Sequence, residues 1–181
     1  MDREPYSWNA HEQNQKLQGN FTPAKPKMHI VDDASLREKL ADGLEELPHP
    51  VLARWALSVA LPKLAHLEPA LRDDPRIEFG IDALEKRLAN SIHAGDLRKA
   101  GFAVNRLAAH CGSDTSRFSA RSFAHAIATG HMRGHALVCS DYAVKVVNSL
   151  TEGSVPADRQ ERQRKLGLLR QFNQTGATDS R

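Results

Sequence analysis

The feature that most constrains the fold is a helical periodicity of apolar residues that recurs from residue 32 onward with short breaks. Its clearest instance follows Asp74 and Pro75, which have the pattern of a helix cap and a first-turn proline. The apolar residues behind them are spaced by four, three, four and four: Ile77, Ile81, Leu84, Leu88 and Ile92. This part of the chain shows no alternation of polar and apolar residues of the kind that marks a half-buried strand. The sequence therefore predicts an all-α protein.

Turn and cap residues divide the periodicity into six or seven helices, packed as a compact bundle or array. They are expected over residues 35–47, from residue 50 to a kink or end at Pro62, and over 75–95, 96–111, 116–130, 135–150 and 158–172. Ser35 and Glu38 have the spacing of a capping box, and Asp96 is expected to cap the fourth helix. The sixth helix is apolar almost all round, so we expect it to lie at the centre.

Residues 1–31 show no such period and predict an extended N-terminal arm. Residues 32–172 are expected to form a single helical domain, and residues 173–181 a frayed tail. The arm carries Tyr6 and Trp8, aromatic residues that a purely solvated tail rarely contains. Two roles stay open for them: they pin the arm to its own domain, or they contact a partner.

Charge and composition exclude several classes of protein. The net charge of +3 divides into +1 for residues 1–31, −1 for 32–153 and +3 for 154–181, so the helical part is nearly neutral. A nucleic-acid-binding domain concentrates Lys and Arg on its folded face, so we expect no nucleic-acid partner. The longest uncharged run in the apolar part, residues 122–132, has 11 residues. A membrane-spanning helix needs roughly 20. The first thirty residues lack the apolar core of a signal peptide, so we expect a cytoplasmic protein.

His131 and His135 are four residues apart, a spacing that suits a metal. Residues four apart lie on one face of a helix, but a zinc protease motif needs Glu after the first His, and Met132 stands there. A third ligand would come from elsewhere, with His125 and Asp141 as candidates. The flanking Gly130 and Gly134 indicate a bend. We therefore expect the pair at a helix break, largely buried, with ring nitrogens bonded to protein groups; metal binding stays an alternative.

No other pattern predicts catalysis, so we lean towards a protein that is not an enzyme and expect no cofactor. Cys111 and Cys139 form no disulfide framework and no C-x-x-C motif, and neither makes a catalytic dyad. The basic C-terminal segment contains Arg159, Arg162 and Arg164. It predicts either a solvated helix that closes the bundle or a patch that contacts an acidic partner.

Five segments of the sequence resemble one helical bacterial family. The opening motifs of this family are similar to DPRI (74–77), AL (83–84) and DLRKA (96–100). Its most distinctive part is similar to AHAIATGHMRGHAL (124–137) followed by YAVK (142–145). This is the immunity protein family that forms the fifth type in bacterial polymorphic toxin systems, and the match spans roughly residues 48–172. The chain departs from it at Ala124 and Gly130, which replace Gly and Ala, and in a tail that lacks the family's Trp.

The resemblance implies an all-α fold and neutralisation of a toxin, and it implies no catalytic residues. It makes His125, His131, His135 and Tyr142 candidate binding residues of a family-signature segment. Tyr6, Trp8, Arg159, Arg162 and Arg164 are the candidates for partner contact, because aromatic and Arg side chains supply most interface energy.

Three functions stay open at this point: a non-enzymatic immunity protein that binds a toxin, a metal-binding enzyme or sensor centred on His131 and His135, and a structural or regulatory helical protein. The toxin, its activity and the oligomeric state are not determined by the sequence.

Overall fold

A computed structural model describes residues 18–19 and 25–176 of the 181-residue chain. Within this part there are seven α-helices and no strand, which confirms the all-α prediction. The helices are α1 (Ala34–Glu46), α2 (His49–Ala60), α3 (Pro75–Leu88), α4 (Ala94–Asn105), α5 (Asp114–Ala128), α6 (His135–Thr151) and α7 (Val155–Gly176). Three 3₁₀ segments connect them: Leu61–His66, Pro69–Leu71 and Arg106–His110. None of the described helices is both long and apolar enough to cross a membrane.

Most helix ends lie near the predicted positions, but the third helix ends at Leu88 and not at residue 95. Asp74 caps α3 by accepting a hydrogen bond from the backbone N–H of Arg76, and Pro75 occupies the first turn. Pro62 has no N–H to continue an α-helical ladder, and α2 ends at Ala60 and passes into a 3₁₀ segment.

Two predicted caps are wrong. Asp33, not the Ser35–Glu38 box, caps α1, because its carboxylate reaches the free N–H of Leu36 at 3.1 Å. In the fourth helix His93 is the cap residue, and Asp96 lies inside the first turn, where it accepts from the His93 N–H at 3.3 Å.

The core lies between α2, α5 and α6, with the other helices around it. Trp55 of α2 and Phe123 of α5 are completely buried there. The central position predicted for the sixth helix agrees with the burial of Val144 and Val146, both 0% exposed. Asp141 of the same helix is also buried, at 1% exposed.

The segment that precedes α1 is tied to the helical domain. Val31 and the side chain of Asn148 in α6 form two hydrogen bonds: Val31 N–H donates to Asn148 Oδ1 at 2.8 Å, and Asn148 Nδ2 donates to the Val31 carbonyl at 3.1 Å. Tyr6 and Trp8, the aromatic residues of the predicted arm, lie outside the described residues.

Candidate binding site

The break between α5 and α6 positions the histidine pair. α5 ends at Ala128 and α6 begins at His135, so His131 lies in the connection, and the prediction that the pair lies at a helix break is confirmed. Gly130 is required there by close approach. A Cβ atom at Gly130 would lie 2.5 Å from Leu84 Cδ1 and 2.6 Å from Leu97 Cδ2, inside the packed core.

Two side chains anchor this connection to the rest of the fold. The buried imidazole of His49 donates a hydrogen bond from Nε2 to the Thr129 carbonyl. Arg133 donates from Nη2 to the carbonyls of Leu44 and Leu47, at 3.1 and 2.8 Å. Carbonyls at the end of a helix lack a partner inside the helix. The guanidinium supplies a partner to the Leu47 carbonyl and a second one to the Leu44 carbonyl, which also accepts from the Leu47 N–H. The connection is therefore held in a fixed position.

Three imidazole rings meet at the break, and we call His125, His131 and His135 the histidine cluster. Nδ1 of His125 and Nδ1 of His135 are 2.8 Å apart, so one of the two nitrogens carries the proton of a hydrogen bond. The ring centroids of His131 and His135 are 5.4 Å apart in an edge-on arrangement. Tyr142 stacks on His125 with a centroid distance of 5.3 Å. The structure thus brings all four residues of the family-signature segment together.

The histidine cluster is uncharged at neutral pH. Burial is the largest cause that lowers the pKa of His125 and of His131 to about 4 each and that of His135 to about 3. Neighbouring cations add to this effect: Arg121 acts on His125, and Arg98 acts on His131. Desolvation and nearby positive charge both disfavour the imidazolium form.

The rings of His131 and His135 are mostly buried, as expected. His135 bonds to a protein group, as predicted, but Nδ1 of His131 is buried and has no hydrogen-bond partner within the described residues. The expectation that the ring nitrogens bond to protein groups is therefore wrong for His131 Nδ1.

The histidine cluster forms one wall of a surface pocket of about 510 Å³, which we call the histidine pocket. The opposite wall is the face of α4 that presents Arg98, Phe102 and Asn105, spaced by four and three residues and all exposed. The floor consists of small side chains: Gly101 of α4, and Ala124 and Ala128 of α5. Arg121 and Met132 complete the lining.

The polar lining of this pocket is unsuited to a cation. Within the described residues, no three His, Cys, Asp or Glu side chains are arranged to hold a metal ion. Moreover, both charged residues of the pocket lining, Arg98 and Arg121, are cationic.

The sequence did not predict Arg98, Phe102 and Arg121. A usable signal was present: Phe102 lies off the apolar stripe of its helix, which buries Leu97 and Val104, and its side chain is 58% exposed. A large aromatic residue on the solvent face of a helix often marks a binding surface.

The C-terminal arginines occupy three different environments. Arg159 and Arg164 are half exposed and pair with Asp33 and Glu161. Arg162, in contrast, is 0% exposed, so the expectation that it belongs to an exposed patch is wrong. Asp32 and Asp141 hold it inside the protein: Arg162 Nε and Nη2 donate to Asp32 at 2.9 and 2.6 Å, and Nη2 donates to Asp141 at 2.7 Å.

The fold and the site together define a class: an all-α protein with a preformed pocket of neutral imidazoles, arginines and an exposed aromatic ring beside a fixed helix break. The family described as Imm-5 like putative immunity protein matches residues 42–172, and the chain belongs to this family. This agrees with the resemblance seen in the sequence. No curated protein and no solved structure matches the chain.

Proposed function

We propose that this protein neutralises a bacterial toxin by binding it directly in the cytoplasm, without a catalytic step of its own. The observation that carries the proposal is membership of the immunity protein family over residues 42–172. An immunity protein needs a surface that holds its partner, and it needs no reacting groups.

The face that best fits such a contact surrounds the histidine pocket. Phe102 is 58% exposed, Arg98 is exposed beside it, and Arg121 is partly exposed across the pocket. Aromatic and Arg side chains are the residue types enriched at interface centres, where a few anchors supply most of the binding energy. Phe102 is therefore our first candidate for an anchor, with the two arginines as its polar neighbours.

The α7 surface is a weaker candidate. Arg159 and Arg164 already pair with carboxylates of the same chain, so a partner would have to compete for them. Tyr6 and Trp8 stay candidates for partner contact on sequence grounds alone. The metal-binding alternative gains no support from this site, because the two charged residues of the pocket lining, Arg98 and Arg121, are cationic.

The test starts from the gene neighbourhood, where we expect a toxin gene. The toxin is expressed in a host whose growth it arrests, together with this protein or with one of three variants, and binding is measured with the purified proteins. Phe102→Ala and the double variant Arg98→Glu/Arg121→Glu should lose growth rescue and bind at least about tenfold more weakly. Arg54→Glu is the matched control, because Arg54 is exposed on α2 and does not line the pocket.

One result would contradict the proposal of direct binding, and a second would contradict the choice of the pocket face. Growth rescue without a measurable complex would exclude direct binding. Rescue and affinity that are the same for all variants would place the interface elsewhere on the protein.

A further inference from the structure

We infer that the histidine pocket binds a small organic anion: a planar, apolar body that carries a sulfonate, carboxylate or phosphate group. The inference concerns the isolated protein and goes beyond toxin neutralisation, although Arg98 and Arg121 take part in both.

The dimensions of the pocket suit a small molecule. Its volume of about 510 Å³ lies within the range of small-molecule sites, roughly 300–1,000 Å³. Such sites are lined mainly by apolar and aromatic groups with a few placed polar ones, and here Phe102, Met132 and the three imidazoles surround a floor of Gly and Ala. A flat ring system matches walls of this kind, because aromatic and imidazole rings offer faces and edges for stacking.

Packing of α4 against α5 does not require a glycine at the floor of the pocket. A Cβ atom at Gly101 would meet only Ala128 Cβ, at an ordinary contact distance of 3.9 Å, so packing does not demand a glycine there. Glycine inside a helix costs about 0.5–1 kcal/mol relative to alanine. Position 101 therefore carries a residue that weakens α4 slightly and leaves the pocket floor open.

The charges of the pocket select an anion. Arg98 and Arg121 form no ion pair within the described residues. Instead, the Arg98 guanidinium lies 5.6 Å from the centroid of the Phe102 ring, and that of Arg121 lies 6.0 Å from the Tyr142 ring. No acidic side chain belongs to the described lining. A guanidinium that stacks on a ring keeps its N–H groups free for a bidentate contact with an oxyanion.

The histidine cluster adds neutral donors and acceptors to this site. The rings of His125, His131 and His135 line the pocket, and a neutral imidazole carries one N–H donor and one nitrogen acceptor. The Asn105 amide, on the opposite wall, offers a further donor.

The test uses naphthalene-2-sulfonate as the probe, with the full chain at neutral pH. Calorimetry measures the affinity, and amide NMR shifts locate the site. Saturable binding is expected, with shifts centred on Arg98, Gly101 and Phe102. The neutral naphthalene-2-sulfonamide tests the need for charge, inorganic sulfate tests the need for the planar body, and zinc chloride tests the metal alternative. Each should bind at least about tenfold more weakly than the sulfonate, or not at all.

Substitutions test which side chains contact the sulfonate. Arg98→Gln and Arg121→Gln should each weaken the sulfonate about tenfold or more, because a hydrogen bond to a charged group is lost. Gly101→Leu should fill the floor and abolish binding, with a thermal melt to show that the variant is folded. Arg54→Gln, on the exposed face of α2, should bind like the unchanged protein.

Four results would overturn the inference: no saturable binding of the sulfonate, equal affinity for the sulfonamide or for sulfate, unchanged affinity in both pocket arginine variants, or stoichiometric zinc binding in place of the sulfonate. None of these results depends on a toxin, so this inference and the proposed function can fail separately.

Discussion

Replacement of the buried Arg162 by methionine should destabilise the protein far more than the same change at Arg159, three residues earlier on α7. The Arg162 side chain is 0% exposed, whereas that of Arg159 is 56% exposed. Both arginines contact carboxylates near the start of α1, so the comparison holds the helix, the residue type and the kind of partner constant.

The magnitude follows from what Arg162→Met leaves behind. The guanidinium makes two hydrogen bonds to Asp32, one to Asp141 and one to the Ser140 hydroxyl, at 2.6–2.9 Å. The Asp32 carboxylate is only 9% exposed, and in the methionine variant it loses the guanidinium that pairs with it. Removal of one partner from a buried ion pair costs about 3–5 kcal/mol, because the remaining charge stays desolvated.

Urea denaturation measured by circular dichroism would test this. Arg162→Met should lower the free energy of unfolding by about 3–5 kcal/mol and the melting temperature by roughly 6–20 °C. Arg159→Met should stay close to the unchanged protein, because exposed ion pairs contribute little. Equal, small losses in the two variants would refute the reasoning, since they would mean that the buried network adds nothing to stability.

Two further predictions concern the helix break. The free energy of unfolding should fall as the pH is lowered from about 6.5 to about 4. The pKa values of the histidine cluster are lowered in the folded state, so the unfolded chain binds more protons than the folded chain between these pH values. His125→Gln should reduce the slope near pH 5 by about 1.4 kcal/mol per pH unit, and an unchanged slope in urea titrations would show that His125 titrates normally. Gly130→Ala should lower the free energy of unfolding by about 1–3 kcal/mol through overpacking against Leu84 and Leu97, while Gly134→Ala, whose Cβ would meet open space, should not. Similar melting temperatures for the two variants would contradict the packing argument.

Local signals in the sequence predicted much of the backbone. The Asp74–Pro75 start of α3, the end of α2 before Pro62 and the break after α5 depend on capping, on the missing N–H of proline and on glycine. Each of these acts within one turn of the helix, so it can be recognised without the fold. The wrong caps at α1 and α4 are misplaced by two and three residues, because several polar residues stand at each helix start and geometry selects one.

The candidate site was predictable in part. The spacing of His131 and His135 and the flanking glycines indicated a special segment, and the family resemblance added His125 and Tyr142. Sequence alone did not show that the pocket faces Arg98 and Phe102. The opposite wall belongs to α4, a different helix, and only the packing of α4 against α5 brings the two walls together.

By itself, the sequence determined the helical class, the approximate helices, the interruption between α5 and α6 and membership of the immunity protein family. Only the tertiary structure decided which charged side chains are buried. Arg159, Arg162 and Arg164 look alike in the sequence, yet Arg162 is buried because Asp32, 130 residues away, and Asp141 meet it there. Periodicity and capping are local properties of the chain, whereas the burial of a charge depends on partners that only the complete fold supplies.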